Sequence, residues 1–187
     1  MLPSFPRETW KPALLRHQVP TALYPLITHD GSLTAALKAL FPDFGVRVLH
    51  QGFRRATLDE APLLGLRRNE YAWVREVLLL SGTEPLVFAH TAMSRKHLRG
   101  PWNLLHRQGN RPLGETLFSS RRIARSSLHY QKLGRNHTLT QRNEMPFHSL
   151  PARRSLFRHR GAGLLVTEVF LLSGLWKNAC ITTRKWR

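Results

Sequence analysis

The chain has 187 residues, which suits one domain with short tails, and its hydrophobic fraction of 42% is enough for a packed core. Its single cysteine, Cys180, excludes an intramolecular disulfide and a cysteine-based zinc site and favours a reducing compartment. The net charge of +18 indicates attraction to polyanions in general, but charge alone names no partner.

The N-terminal part of the chain is predicted as an irregular arm over 1–20, followed by a short helix over 21–28. The arm mixes prolines, charges and aromatics without an apolar run, so it is not read as a signal peptide. Apolar residues at helical spacing predict a helix over 33–41, with Asp30 or Ser32 as its cap and Pro42 after its end.

From residue 46 onward the apolar period changes to two, which predicts strands. The predicted strands cover 46–53, 71–80 and 86–93. The polar segment 81–84 between the last two predicts a hairpin with a connection of four or five residues.

The second half of the chain is predicted to begin with a helix over 101–108 and a short turn or helix over 112–118. Strands are predicted over 121–131, 153–160 and 164–172, with a glycine-rich hairpin turn at 161–163 and a long loop over 133–151. The apolar run from 164 is interrupted by Glu168 and is shorter than the roughly 20 residues of a membrane-spanning helix. The tail 173–187 is basic. This pattern predicts an α+β fold with one antiparallel sheet and helices in its connections.

Two charged residues interrupt apolar strand faces and are the sharpest candidates for a site. Arg75 lies on one face of the strand 71–80, and Glu168 lies on an apolar face of the strand 164–172. A buried arginine keeps its proton and needs an anion, and a buried glutamate needs a donor, a cation or a proton. Either the two pair with each other or with local partners, or Arg75 grips a ligand carboxylate while Glu168 orients or deprotonates the same ligand.

The other sequence patterns are weaker evidence for a functional site. His90 and His97 belong to no metal-binding motif, so we expect no metal site there, and no phosphate-binding or dinucleotide-binding glycine pattern occurs. The pairs Arg121-Arg122 and Arg153-Arg154 could bind phosphates, but solvated strand ends are the preferred interpretation.

Six ordered segments of the chain resemble the bacterial chorismate–pyruvate lyase family, which makes 4-hydroxybenzoate for ubiquinone. The resemblance extends over about residues 20–172. Its segments are Asp-Gly-Ser-Leu-Thr at 30–34, Gln-Gly-Phe at 51–53, Trp-Val-Arg-Glu-Val-Leu-Leu at 73–79, Pro-Leu-Gly-Glu-Thr-Leu-Phe at 112–118, Ala-Arg-Arg-Ser at 152–155 and Leu-Val-Thr-Glu-Val-Phe-Leu at 165–171.

The resemblance implies one antiparallel sheet of about six strands with an internal ligand cavity beneath two helical flaps. It implies that Arg75 holds the carboxylate of chorismate and that Glu168 meets the ring hydroxyl. The backbones of Leu33, in the first flap, and Leu113, in the second, complete the implied site. The implied reaction yields 4-hydroxybenzoate and pyruvate without a metal or organic cofactor, in a cytoplasmic protein that we expect to be a monomer.

Two other functions remain as alternatives. A carboxylate-sensing domain of the same fold would usually accompany a DNA-binding module, and only about 20 residues precede the matched region. An RNA-binding protein is favoured by charge alone, without an RNA-recognition signature, so no dedicated nucleic acid partner is expected. Weak association with an anionic membrane surface follows from the charge as a further expectation.

Overall fold

Seven antiparallel strands form one sheet in the computed structural model, which describes residues 10–103, 105, 109, 111–143 and 149–175. The strands are β1 Phe44–Arg55, β2 Tyr71–Ser81, β3 Glu84–Ser94, β4 Ile123–Arg125, β5 His129–Gly134, β6 Ser149–His159 and β7 Ala162–Phe170. Their spatial order is β1-β2-β3-β7-β6-β4, and β5 also pairs with β6. The predicted α+β fold with a single antiparallel sheet is confirmed.

Both hairpin turns are tighter than predicted. Ser81 pairs with Glu84, so the β2–β3 connection has two residues instead of four or five, and Gly82 takes a φ of 56° there. His159 pairs with Ala162, so the second turn consists of Arg160 and Gly161, at φ values of 49° and 78°. Two-residue turns with positive φ match the twist of the strands that they connect, which explains the shorter loops.

In the described ranges, four α-helices lie in the connections. They are α1 Tyr24–Thr28, α2 Leu33–Leu40, α3 Leu113–Ser119 and α4 Thr138–Arg142. The α2 prediction is confirmed, and Ser32 is its cap because its hydroxyl accepts a 3.3 Å hydrogen bond from the Ala35 N–H. No helix of the described ranges is long and apolar enough to cross a bilayer.

The region 121–151 differs from its prediction. The strand expected over 121–131 is split into β4 and β5, which pair with opposite ends of β6. The loop expected over 133–151 contains α4, which begins where the His137 side chain accepts a hydrogen bond from the Leu139 N–H. A histidine cap is a weak sequence signal, so propensity alone does not find this helix.

Several predicted segments fall on residues that are not described. The helix predicted over 101–108 includes residues 104 and 106–108, and the basic tail includes residues 176–187. These residues lie outside the described part of the chain. The division into an arm at 1–20, a domain at 21–172 and a tail at 173–187 stays a prediction. Leu14 and Val19, from the predicted arm, are buried in the same apolar cluster as α1 and α2.

Both faces of the sheet are covered. On one face, α1 and α2 pack over Val77, Leu79 and Phe170, while α3 and the segment from residue 98 pack over Trp73 and Leu164. On the other face, residues 56–66 and α4 cover two further apolar clusters. The first face therefore carries two separate apolar clusters, with space for a site between them.

A network of alternating charges lies on the second face. His90 is fully buried between two carboxylates, with Nε2 3.0 Å from Glu60 Oε1 and Nδ1 3.1 Å from Glu76 Oε1. Arg54 donates a 2.8 Å hydrogen bond to the other oxygen of Glu76. The Nε2 contact lacks hydrogen-bond alignment, so its attraction is mainly electrostatic. The two acids and two cations balance, which is the condition for burying charge at low cost.

This network predicts a specific pH dependence of stability. The two carboxylates overcome the opposing effect of burial and raise the pKa of His90 to about 9, while His90 lowers the pKa of Glu60 to about 2. The stabilisation from His90 is therefore complete below its ordinary pKa of 6.5 and is lost as pH rises through about 9. The part from Glu60 is present above pH 4.5 and is lost as pH falls through about 2.

Urea unfolding at about pH 6 and pH 9.5 measures the His90 contribution in the wild type and in His90→Gln. We expect the free energy of unfolding of the wild type to fall between these values by more than that of the variant. Equal decreases in the two proteins would contradict a charged imidazole at this position.

Candidate active site

A cavity of about 580 Å³, its open mouth included, lies between the two apolar clusters of the first face. The sheet forms its floor, and the N-terminal ends of α2 and α3 form its roof. Of the described residues, four charged ones line it, namely Arg75, Arg125, Arg153 and Glu168. All four residues that the sequence analysis assigned to a site, Leu33, Arg75, Leu113 and Glu168, are among its lining residues.

The strand register brings Arg75 and Glu168 to the same face. Arg75 on β2 pairs with Thr91 on β3, and Thr91 pairs with Val166 on β7. Glu168 lies two residues beyond Val166 and pairs with Ala89. From the strand spacing and rise, the Cα atoms of Arg75 and Glu168 lie about 12 Å apart. Two long side chains at this separation leave room between them for a small ring.

Arg75 is nearly inaccessible, with 2% of its surface exposed. Its Nη2 donates hydrogen bonds to the carbonyl oxygens of Gly109, at 2.8 Å, and Arg111, at 3.2 Å. Its Nε is buried without a partner, and no carboxylate of the described residues forms an ion pair with it. Burial lowers the pKa of Arg75, but a guanidinium stays charged, so the group still requires an anion.

Glu168 pairs with Arg153 rather than with Arg75. Arg153 is fully buried on β6, and its Nε donates a 2.5 Å hydrogen bond to Glu168 Oε2. Its Nη1 donates to the carbonyl oxygens of Ile27, at 3.1 Å, and His29, at 2.6 Å, at the end of α1. The local pair that the sequence analysis kept as an alternative therefore exists for Glu168, while Oε1 accepts no hydrogen bond from any described residue.

Arg153 is the main residue that the sequence reasoning missed. The preferred interpretation placed Arg153 and Arg154 at a solvated strand end, which is wrong. Arg153 faces the cavity, and Arg154, on the other face, donates to Asp59 and lies over the ring of Trp10. Alternation with the apolar Phe157 was the only available signal, and two adjacent arginines conceal it.

The roof depends on close contact between α2 and α3. A Cβ atom added at Gly114 would lie 2.8 Å from Ser32 Oγ and 3.0 Å from Thr34 Oγ1, so only glycine permits this approach. Lys38 and Glu115 form an exposed ion pair between the same helices, which contributes little stability.

Arg125 completes the charged lining near the roof. Its Nε donates a 2.9 Å hydrogen bond to Ser155 Oγ, and its guanidinium lies over the rings of Phe118 and Phe157. The sequence analysis did not select it, because Arg125 shares its face of the predicted strand 121–131 with the polar residues Ser127 and His129. The described residues hold no group of three or more His, Cys, Asp or Glu side chains that could bind a metal ion.

The sequence of the chain is similar to that of proteins from one known family. The model of the chorismate lyase family matches residues 5–181. A protein named probable chorismate pyruvate-lyase from Aromatoleum aromaticum is 44% identical over 171 residues, covering 88% of this chain and 92% of that protein. A protein of the same name from Nitrosomonas europaea is 39% identical over 170 residues, covering 89% of this chain and 94% of that one.

Solved structures with the same fold include domains of transcriptional regulators. The PhnF C-terminal domain matches 71% of this chain and 84% of its own length, with a TM-score of 0.52 and 18% identity. A GntR-family regulator from Bacillus cereus matches 70% of this chain and 93% of its own, with a TM-score of 0.50 and 10% identity. Identities this low indicate a common fold and carry no functional argument.

Substitution of Gly114 tests the roof contact. In Gly114→Ala the new methyl group would clash with Ser32 and Thr34, so we expect α2 and α3 to separate more often. Amide hydrogen exchange should become several-fold faster in these two helices and stay unchanged in β2, β3 and β7. Gly134→Ala is the matched control, because a Cβ atom there meets nothing within 4 Å. The same exchange rates in both variants would contradict the proposed contact.

Substitution of Arg153 tests its structural role. Arg153→Met keeps an unbranched side chain but leaves Glu168 unpaired and the Ile27 and His29 carbonyls without this donor. We expect the free energy of unfolding to fall by about 3 kcal/mol, measured by urea denaturation. Arg158→Met, at an exposed position of the same strand, should change it by less than about 0.5 kcal/mol. Similar losses in both variants would argue against a special role for Arg153.

Proposed function

Since the chain belongs to the chorismate lyase family, we propose that it cleaves chorismate into 4-hydroxybenzoate and pyruvate, with Arg75 holding the ring carboxylate and Glu168 meeting the ring hydroxyl. The observation that carries this proposal is a buried guanidinium without an anion, in the same cavity as a carboxyl group that has one oxygen unpaired. A ring with a carboxylate and a hydroxyl at opposite ends fits between two such groups.

The role of Arg75 follows from its unsatisfied hydrogen bonding. The carbonyls of Gly109 and Arg111 hold Nη2 and so fix the plane of the guanidinium group. The unpartnered Nε is left for a ligand carboxylate. In a water-poor cavity this charge-assisted bond is stronger than it would be in solution.

The role of Glu168 depends on Arg153. Because Arg153 holds Oε2, the carboxyl group of Glu168 cannot rotate freely. The direction in which Oε1 points is therefore set by Arg153 as well. Glu168 then accepts a hydrogen bond from the ring hydroxyl and is suitably placed to assist removal of the proton on the same ring carbon. Arg153 is a positioning residue in this scheme.

The backbones of Leu33 and Leu113 are the other proposed contacts. Each is the first residue of its helix, where N–H groups have no acceptor within the helix. Both residues line the cavity, so these donors are available for ligand oxygens. When α2 and α3 are in contact, they also exclude water from the site.

The proposed reaction depends more on the orientation of the substrate than on reactive side chains. The ether bond between the ring and the enolpyruvyl oxygen breaks, the ring loses the proton on its hydroxyl-bearing carbon, and the ring becomes aromatic. The departing enolpyruvate takes up a proton and becomes pyruvate. Aromatisation supplies the driving force, so the protein mainly holds the reacting bonds in position and stabilises developing negative charge.

Several broader assignments accompany this proposal. The reaction would operate without a metal or organic cofactor, in a cytoplasmic monomer, as the first step toward ubiquinone. The excess of basic residues would give at most weak association with anionic membranes. Because the roof must open after each reaction, product release is the proposed slow step.

The direct test is to mix the purified protein with chorismate in the presence of a chelator. We expect 4-hydroxybenzoate and pyruvate in equal amounts. Arg75→Ala should reduce kcat/KM at least about 100-fold through lost carboxylate binding, and Glu168→Gln should reduce it while the fold is preserved. Arg47→Ala, at an exposed position of β1, is the matched charge control and should have wild-type kinetics.

The circular dichroism spectrum and urea midpoint of each variant show whether its fold is intact. Wild-type turnover in Arg75→Ala or Glu168→Gln would remove that residue from the site. A wild-type protein that binds chorismate without forming products would refute the lyase proposal.

A further inference from the structure

We propose that Arg125 binds the second carboxylate of the substrate, the one on the enolpyruvyl side chain, and so distinguishes the substrate from its aromatic product. This inference rests on the proposed function and goes beyond it, because it assigns the other end of the dianion to a residue of this cavity.

The charges that line the cavity are unequal. Among the lining residues that the structure describes, three arginines face one glutamate, and that glutamate is paired with Arg153. Arg75 and Arg125 therefore remain as two cations without a buried anionic partner among the lining residues. Chorismate carries two carboxylates, which matches this excess, whereas 4-hydroxybenzoate carries only one.

Arg125 has weak protein partners for a largely buried cation. Only 14% of its side chain is exposed, yet its nearest carboxyl oxygen belongs to Asp30, at 3.5 Å, and the Asp30 side chain is 94% exposed. An ion pair of this kind contributes little because water competes for the carboxylate. Burial and the neighbouring Arg153 both lower the pKa of Arg125, which indicates that its charge is poorly compensated.

The hydrogen bonds of Arg125 leave one edge of its guanidinium group available. Nε donates to Ser155 Oγ, and Nη1 donates to the backbone oxygen of Asp30 at 2.5 Å. Nη2 has no partner among the described residues. The rings of Phe118 and Phe157, with centroids 5.2 and 5.5 Å from the guanidinium carbon, restrict its orientation. An arginine fixed in this way can bind a carboxylate with little further loss of side-chain entropy.

The position of Arg125 places it away from Arg75. Its partner Ser155 is opposite Val166, and Val166 is linked through Thr91 to Arg75, so Ser155 and Arg75 lie in one row of the sheet. Three strand spacings separate them, about 14 Å between Cα atoms. Two arginines that reach inward from the ends of this row can hold two carboxylates of one small molecule.

The same position links Arg125 to the roof. It contacts Asp30, just before α2, and Phe118, in α3. A substrate carboxylate at Arg125 would therefore lie beside both helices and favour their closed position. Once the side chain leaves as pyruvate, the ring product retains no group for Arg125, so product binding should not depend on it.

The test compares substrate and product in one variant. We expect Arg125→Gln to lower kcat/KM for chorismate about 10- to 100-fold and to change the Kd of 4-hydroxybenzoate less than about 2-fold. Arg125→Lys, which keeps the charge and loses the planar fork, should fall between the wild type and Arg125→Gln. Arg122→Gln removes the same charge at an exposed position three residues earlier and should match the wild type.

The outcomes distinguish a failure of the proposed lyase function from a failure of the proposed role of Arg125. If the wild type fails to convert chorismate, the proposed function fails and this inference fails with it. If the wild type is active and Arg125→Gln keeps its kcat/KM, only the role of Arg125 is overturned. Equal weakening of chorismate turnover and of 4-hydroxybenzoate binding would assign Arg125 a structural role in the roof and would also overturn the inference.

Discussion

The ion pair between Arg153 and Glu168 is the constraint on which the rest of the site depends. It joins β6 to β7 on the cavity floor, and the same guanidinium group holds the carbonyls at the end of α1, just before the first roof helix. The Arg153 side chain is fully buried, so it depends on these protein partners rather than on water, and it links the sheet to the segment before the roof. Glu168 is also the only carboxylate among the described lining residues, so its pairing leaves Arg75 and Arg125 without a buried anionic partner in that part of the chain.

The two faces of the sheet differ in the balance of their buried charges. On the second face, Glu60, His90, Glu76 and Arg54 form a balanced set of two acids and two cations. Such a set compensates its own buried charges and has no unmatched charge to attract a ligand. On the first face the cations exceed the carboxylates, and a buried Arg75 Nε has no partner. An unbalanced set costs stability in the empty protein, and a dianionic ligand would restore the balance.

The contact between the two roof helices links the excess of positive charge in the cavity to the entry of a ligand. Gly114 permits α2 and α3 to approach each other, while the ion pair between them is exposed and weak. Because the ion pair between the two helices is exposed and contributes little, a ligand that contacts both helices would favour their closed position. The proposed carboxylate contacts and the proposed slow release of product are then consequences of one arrangement.

The sequence alone determined the features that are local or periodic. Strand alternation showed that Arg75 and Glu168 project from apolar faces, and helical spacing with Ser32 predicted α2. Other features required the tertiary structure. The pairing of Arg153 with Glu168 joins residues of two strands through the β6–β7 register, and Arg125 enters the cavity from a short edge strand that the sequence did not separate from β5. The charge network around His90 likewise joins three strands and a turn. A sequence shows which way a side chain points along its own strand, but its partner depends on which strands become neighbours and in what register, and only the folded chain decides that.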